Sequence, residues 1–404
     1  MRNVSEKIHY GWVIVFSGIL TLFACLGLGR FTLGMLLPSM GETLNLSYSQ
    51  MGLISTGNFI GYLLSVVLIH LLVKRIGTRK TVAISLLVIG LSMLLVSYGQ
   101  GFYGVLFLYF ITGIGSGGAN VPIMGLVSHW FRRDLRGKAA GYIVVGNGLA
   151  IMLTGWMVPE INLIQGAEGW RMSWFILGIV VVFIAAISQL LLRNTPEEMG
   201  LLPLGRHIES HHHAATDNSK HRRNIVLHIG AIYFMFGFSY VIYATFIVTT
   251  LVNEHGMSEA FAGDFWFWIG FFSLFSGPLF GTLSDKLGRK MGLSIVYLFQ
   301  VIAYLLIALS SSEWGIYLSV FLFGICAWSV PSIMAATTGD YMGPEHAVAA
   351  FGTVTLFFGI GQIVGPTLAG MLAQSSGTFS SGYLLAAVAS FSAVILLVSL
   401  KKPT

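Results

Sequence analysis

The sequence predicts an all-α membrane protein: twelve transmembrane helices arranged as two pseudo-symmetric six-helix bundles. Three observations carry this. Of the 404 residues, 55% are hydrophobic and 9% charged, with a mean hydropathy of +0.80, whereas ordinary soluble domains carry about 25% charge. The apolar residues gather into twelve stretches near the membrane-crossing length of roughly 20 residues. A loop also recurs at an offset of 211 residues: HLLVKRIGTRK follows the second stretch and GTLSDKLGRK the eighth, aligning Gly77 with Gly288.

In order, the first-half spans fall at 10–40, 48–73, 81–98, 101–129, 137–158 and 170–192, and the second-half spans at 225–252, 261–283, 291–309, 314–338, 347–372 and 380–400. Each is bounded by charged residues or Gly/Pro/Asn clusters, which end a hydrophobic run. The start, MRNVSEKIHYGWVIVF, is basic and then apolar, but its run continues to Met40 without a small-residue cleavage site, so a retained first helix is expected instead of a signal peptide. Residues 193–224 form the only long polar stretch, a linker between a first bundle at 1–192 and a second at 225–404. His207, His211, His212, His213 and His221 lie in it. Without carboxylate or thiol partners at defined spacing they make a weak metal site, and no cofactor or metal is expected.

The charges orient the chain. Lys74, Arg75, Arg79 and Lys80 follow span two, Arg132, Arg133, Arg136 and Lys138 follow span four, and the linker follows span six. Lys286, Arg289 and Lys290 follow span eight, and Lys401 and Lys402 follow span twelve. With Arg2 and Lys7, every basic residue except Arg30 and Arg171 falls on one side, placing both termini in the cytoplasm. The opposite loops hold Glu42, Glu160, Glu168, Glu254, Glu259, Asp264 and Glu313. The net charge of +6 is thus spread over short loops, with no separate basic patch to bind nucleic acid. Cys25 and Cys326 sit inside apolar spans, so no disulfide framework is implied.

Arg30 is the one basic residue inside an apolar stretch, ILTLFACLGLGRFTLGMLLP. A guanidinium stays charged at any working pH, and burying it in a bilayer costs roughly 2.5–3.5 kcal/mol on insertion scales. Counting from Trp12 at about 1.5 Å per residue places it roughly 27 Å in, toward the outer part of a slab about 30 Å thick. Three readings stand: an anion-binding group in a cavity, an outer-gate partner of Asp264, Glu160 or Glu254, or a snorkelling interfacial Arg. Gly27 and Gly29 leave room beside it, and a planar fork suits carboxylate, sulfonate or phosphate oxygens. No Asp or Glu lies well inside any span, which disfavours cationic substrates.

Gly281, Asp285, Lys286, Gly288, Arg289 and Lys290 resemble the signature loop of the major facilitator superfamily, and the resemblance covers the whole chain. The first-half copy is degraded, with His70 where Gly is expected and Lys74 where Asp is expected. RFTLGMLLPSMGETLNLSYSQMGLISTGNFIGYLL resembles bacterial YbfB/YjiJ-type transporters, while HYGWVIV, WFRRDLRGKAAG and RNTPEEMGLLPLG are similar to oxalate/formate and monocarboxylate porters. The resemblance implies that Asp285 meets Arg136 at the start of span five, and that Lys74 meets Glu345 at the start of span eleven, as a cytoplasmic gate. Solvated loop charges are the plainer reading, since exposed pairs contribute only about 0–1 kcal/mol.

It further implies that spans one, four, seven and ten line a cavity near midplane. The polar residues there are Arg30, Asn120, Tyr240, Tyr243 and Trp328, with Asn58, Tyr62, Asn147 and Gln362 as secondary candidates. For each, a hydrogen bond that merely holds the bundle is the competing role. Trp266 and Trp268 read as interfacial anchors. The expected function is alternating-access transport of a small organic anion, a carboxylate foremost, by a monomer in the lipid bilayer. A coupling proton, facilitated diffusion and anion exchange all stay open. The rivals are an exporter of hydrophobic compounds and a non-transporting membrane sensor. No HExxH, nucleophile elbow or phosphate-binding loop suggests an enzyme.

Overall fold

Backbone N–H and C=O groups have no water to bond inside a bilayer, so an apolar chain of this kind satisfies them within helices. The computed structural model describes residues 9–205, 219–310 and 312–400, apart from the side chains of 133, 219–221, 344, 345 and 348. The described chain is nearly all helical. It runs through α1 (Gly11–Leu22), a π-helical segment (Phe23–Phe31), α2 (Thr32–Thr43), α3 (Tyr48–Val96), α4 (Phe102–Trp130), α5 (Arg133–Gln165) and α6 (Gly169–Leu191). Then follow α7 (Ser219–Asn253), α8 (Glu259–Leu287), α9 (Arg289–Leu309), α10 (Glu313–Cys326), α11 (Ser329–Ser376) and α12 (Ser380–Ser399).

These make ten stretches long and apolar enough to cross a membrane, where the sequence suggested twelve. The difference lies in two continuous runs, Tyr48–Val96 of 49 residues and Asp134–Leu191 of 58. Each is interrupted by a glycine at positive φ, Gly77 at 81° and Gly166 at 69°, a conformation that other residues rarely adopt. Gly77 (φ 81°, ψ 164°) and its repeat partner Gly288 (φ 89°, ψ 151°) share one backbone shape, so the repeat in the loops is also a repeat in geometry. Local signals set the ends: Ser47 and Gln50 form a capping box at the start of α3, and Ser258 accepts from Phe261 N at the start of α8, each satisfying orphan donors.

The first part of the expected linker is seated against the first half. Leu204 N donates to Trp130 O at 2.9 Å, and Arg132 N donates back to Leu204 O at 2.8 Å. Trp130 Nε1 reaches Arg193 O at 3.2 Å, and Asn194 Oδ1 accepts from Arg79 N at 3.0 Å. The strap thus ties α4 and the turn of α3 together. His207, His211, His212, His213 and the His221 side chain lie outside the described residues.

Toward the acidic loops the helices of the two halves close on one another. Thr56 Oγ1 and Thr367 Oγ1 stand 2.7 Å apart, Ser55 Oγ and Thr245 Oγ1 3.2 Å apart, and Gln374 Oε1 accepts from Tyr48 N at 3.1 Å. Along the α5–α8 seam, a Cβ on Gly263 would stand 2.4 Å from Gly155 O, so only glycine permits this approach. Trp266, expected at the lipid interface, is fully buried in the same seam, with Nε1 donating to Thr154 Oγ1 at 3.2 Å; Trp268 is exposed. Toward the basic loops a Cβ on Gly137, Gly141, Gly277, Gly281, Gly339 or Gly352 would meet nothing within 4 Å, while Gly230 and Gly292 pack on Phe357 and Ser284 within their own half.

Candidate functional site

Arg30 sits on the π-helical segment FACLGLGRF, a wide and uncommon winding that is frequent at functional sites. Small residues let this segment approach its neighbours: a Cβ on Gly27 would lie 2.2 Å from Ala150 Cβ of α5, and Ser116 Oγ of α4 donates to Cys25 O at 2.7 Å. The result is a buried Arg30, 7% exposed.

Its guanidinium lies over two rings of α3, 4.6 Å from the Phe59 centroid and 4.1 Å from that of Tyr62. Tyr62 lies one turn beyond both Asn58 and Phe59 on α3, at i+4 and i+3, which brings each of them beside it. Arg30 Nε donates to Asn58 Oδ1 at 3.4 Å, and Asn58 Nδ2 donates to Tyr109 O at 3.1 Å. Tyr109 in turn donates its hydroxyl to Arg30 O at 2.7 Å, so side chain and backbone of Arg30 are held by one closed circuit. Asn58 has its carbonyl and amide engaged in that circuit. Asn120 Nδ2 donates to Tyr62 Oη at 2.8 Å, fixing the ring that lies over the guanidinium. Among the described residues the ion pairs involve Arg171 and Arg289, not Arg30, and Arg30 Nη2 is buried without a hydrogen-bond partner.

The second half faces this cation with aromatic rings. Phe31, next to Arg30, packs on Trp328 at 4.8 Å, and Trp328 stands edge-on to Tyr240 at 5.9 Å. Tyr240 lies near the guanidinium and accepts a hydrogen bond from Gln362 Nε2. Behind it, Phe236 stacks on Tyr240 at 4.8 Å and 15°, and Phe358 on Tyr233 at 4.5 Å and 14°. Gln362 Oε1 and Trp328 Nε1 are buried without partners, which is costly unless something else meets them. Asn147 Oδ1 is a further such atom. Asn147 lies between Gly146, which packs on Ile19 and Phe23, and Gly148, which packs on Ser273 and Leu274.

Tyr243 is not brought to this cluster. It is buried inside the second half, bonded to Ser319 Oγ at 2.9 Å and stacked on Phe323 at 4.1 Å. The three outer carboxylates do not bond Arg30 either. Asp264 and Glu160 are exposed, while Glu254 accepts from Phe379 N at 2.7 Å, and burial raises its carboxyl above the ordinary range against that hydrogen bond. Beyond Arg30 toward the acidic side, a cavity of about 10 Å³ touches Asn58, Ser55 and Thr245, room for about one water. A vestibule of about 530 Å³, with Glu42, Tyr48, Met51, Glu259 and Gln374 in its wall, lies at the acidic end. Among the described residues no cluster of three or more His, Cys, Asp or Glu side chains is placed to hold a metal.

The proposed gate residues occupy separate places. Asp285 pairs with Arg289, which also reaches Asp340 at 2.9 Å. Arg136 donates to Phe131 O at 2.8 Å and Ser128 O at 2.9 Å on its own side. Lys74 is exposed, and the Glu345 side chain is outside the described residues. The aromatic wall of Phe31, Tyr233, Phe236 and Phe358 was not singled out from the sequence. Its signal was the i, i+3, i+7 spacing of Tyr233, Phe236 and Tyr240 in YFMFGFSY, which inside an apolar span reads equally as lipid-facing.

The chain is 24% identical over 374 residues to a hexuronate transporter of Bacillus subtilis, covering 89% of this chain and 87% of that protein. It is 22% identical over 419 residues to a quinolone resistance transporter of Acinetobacter baumannii, covering 98% and 93%. Its fold is similar to the crystal structure of the nucleoside transporter NupG, with a TM-score of 0.72 at 14% identity over 97% of this chain and 99% of that one. Residues 22–398 match the family described as uncharacterised MFS-type transporter YbfB. With that match spanning nearly the whole chain, the protein belongs to the YbfB-type branch of the major facilitator transporters.

Proposed function

We propose that the chain is a twelve-crossing, alternating-access transporter of a small organic anion, bound through a carboxylate, in the cytoplasmic membrane of a bacterium. Residues 1–192 and 225–404 form its halves, with 193–224 between them and both termini in the cytoplasm. The observation that carries this reading is Arg30, a buried cation at the seam, oriented by neutral partners and with Nη2 unpaired. A fixed charge of this kind stabilises an anion passing through an apolar environment. A hexuronate is an organic anion, so the relative of that name accords with it. The closed seam toward the acidic loops and the open glycines toward the basic loops support an inward-facing assignment for this conformation.

The test is uptake of a labelled monocarboxylate by proteoliposomes, with and without a proton gradient. Saturable uptake competed by other organic anions is expected. Competition by neutral or cationic hydrophobic drugs alone would instead favour export of hydrophobic compounds, the second reading, which the aromatic wall and the quinolone-resistance relative support.

On this reading the gate pairs belong to the opposite state, in which Asp285 exchanges Arg289 for Arg136, and Lys74 meets Glu345. Asp285→Arg should lower exchange several-fold, and adding Arg136→Asp should restore most of it. Additive losses in the double variant would remove the pairing.

A further inference from the structure

We propose that the anion taken at Arg30 is a monocarboxylate with a flat aromatic body, and not a sugar acid or a dicarboxylate. The inference rests on the organic-anion reading above and sharpens it through charge, hydrogen-bonding capacity and shape.

The charge count favours a monoanion. The side chains gathered around Arg30, namely Asn58, Phe59, Tyr62 and Tyr240, are neutral at physiological pH, and no ion pair engages the guanidinium among the described residues. One carboxylate brings the site to zero. A dianion would leave an uncompensated charge in a low-dielectric seam, which is strongly unfavourable.

The hydrogen-bonding capacity is small. Three buried atoms of the cluster lack partners: Arg30 Nη2 and Trp328 Nε1 as donors and Gln362 Oε1 as an acceptor. Asn58 and Asn120 are already engaged, with Arg30 and Tyr109 and with Tyr62. That set suits a carboxylate and one further polar group. A sugar acid brings several hydroxyls, each needing a partner when buried, and the wall opposite offers rings.

The shape of that wall favours a ring. Tyr240 and Phe358 lie nearly parallel at 8° and 5.9 Å, Tyr233 and Phe358 at 14° and 4.5 Å, and Trp328 stands across them at 76° to Tyr240. Tyr233, Phe236 and Tyr240 are buried against one another, whereas Phe358 and Trp328 are only half-buried, so these two rings present the aromatic surface left for a planar ligand. The same faces fit a puckered aliphatic ring less well.

The experiment uses the purified full-length chain and four probes: benzoate, cyclohexanecarboxylate, D-glucuronate and L-tartrate, each titrated by thermal shift to obtain Kd. Benzoate is expected to bind at least tenfold more tightly than the other three. Phe358→Leu should remove its advantage over cyclohexanecarboxylate. Trp328→Phe, which keeps a ring but loses the N–H, serves as the second variant if Phe358→Leu does not fold, and should weaken benzoate several-fold. Cyclohexanecarboxylate equal to benzoate, or glucuronate or tartrate binding more tightly, would overturn the aromatic assignment while leaving the organic-anion reading intact. No shift with any of the four, or shifts unchanged in Arg30→Gln, would overturn that reading and this inference with it.

Discussion

Replacing Arg30 by Gln is expected to weaken organic-anion binding by roughly 10- to 150-fold, the effect of losing a charged hydrogen bond worth about 1.5–3 kcal/mol. The unliganded protein should at the same time melt at a higher temperature, because the substitution removes a buried cation whose Nη2 has no partner. Arg30→Lys keeps the charge but loses the stacked plane over Phe59 and Tyr62 and the bidentate fork, so it should recover only a minor part of the affinity. Thermal-shift titration of the three proteins reads both signs at once. A variant that binds less and is also less stable would make Arg30 a packing residue, and an unchanged Kd would remove it from the site.

Gly263→Val is expected to stop exchange by preventing closure toward the acidic loops. The added Cβ would stand 2.4 Å from Gly155 O and 2.6 Å from Pro159 Cγ. The first of these is backbone and cannot turn aside. Overpacking of this kind costs about 1–3 kcal/mol, and here it falls only on conformations that bring α5 and α8 together. The population should therefore shift roughly 5- to 150-fold toward conformations open on that side. Thiol labelling at Ser55→Cys, which contacts Thr245 across the seam, should accelerate, and labelling at Gly277→Cys near the basic loops should slow. Wild-type uptake with unchanged labelling would mean that α5 and α8 part by another route.

Much of the architecture is legible in the amino-acid sequence. The charged loops locate the breaks, and the repeat around Gly77 and Gly288 anticipates two turns of matching backbone shape. Rotation about the helix axis is not legible. Tyr240 and Tyr243 are three residues apart in a helix apolar on all sides, and such a helix carries no sequence signal for which face meets the seam. One ring consequently joins Gln362 and Trp328, while the other is enclosed with Ser319 and Phe323. Trp266 misleads for a related reason: a Trp near a span end resembles an anchor, and only the seam formed by Gly155 and Gly263 shows why it turns inward. Asn58 and Gln362 stand out because amides are scarce in these spans, yet their connections depend on helices far apart in sequence.

The winding at Phe23–Phe31 gives Arg30 a bearing set by backbone register as well as by side-chain packing. The π winding pairs an N–H with the carbonyl five residues back, as Thr32 N does with Gly27 O. Rewinding it to the ordinary four-residue spacing would advance the phase of everything beyond it by a large fraction of a turn. That would carry the guanidinium off Phe59 and Tyr62 and away from Asn58. The winding of this segment is therefore as much a part of the binding chemistry as the arginine it carries.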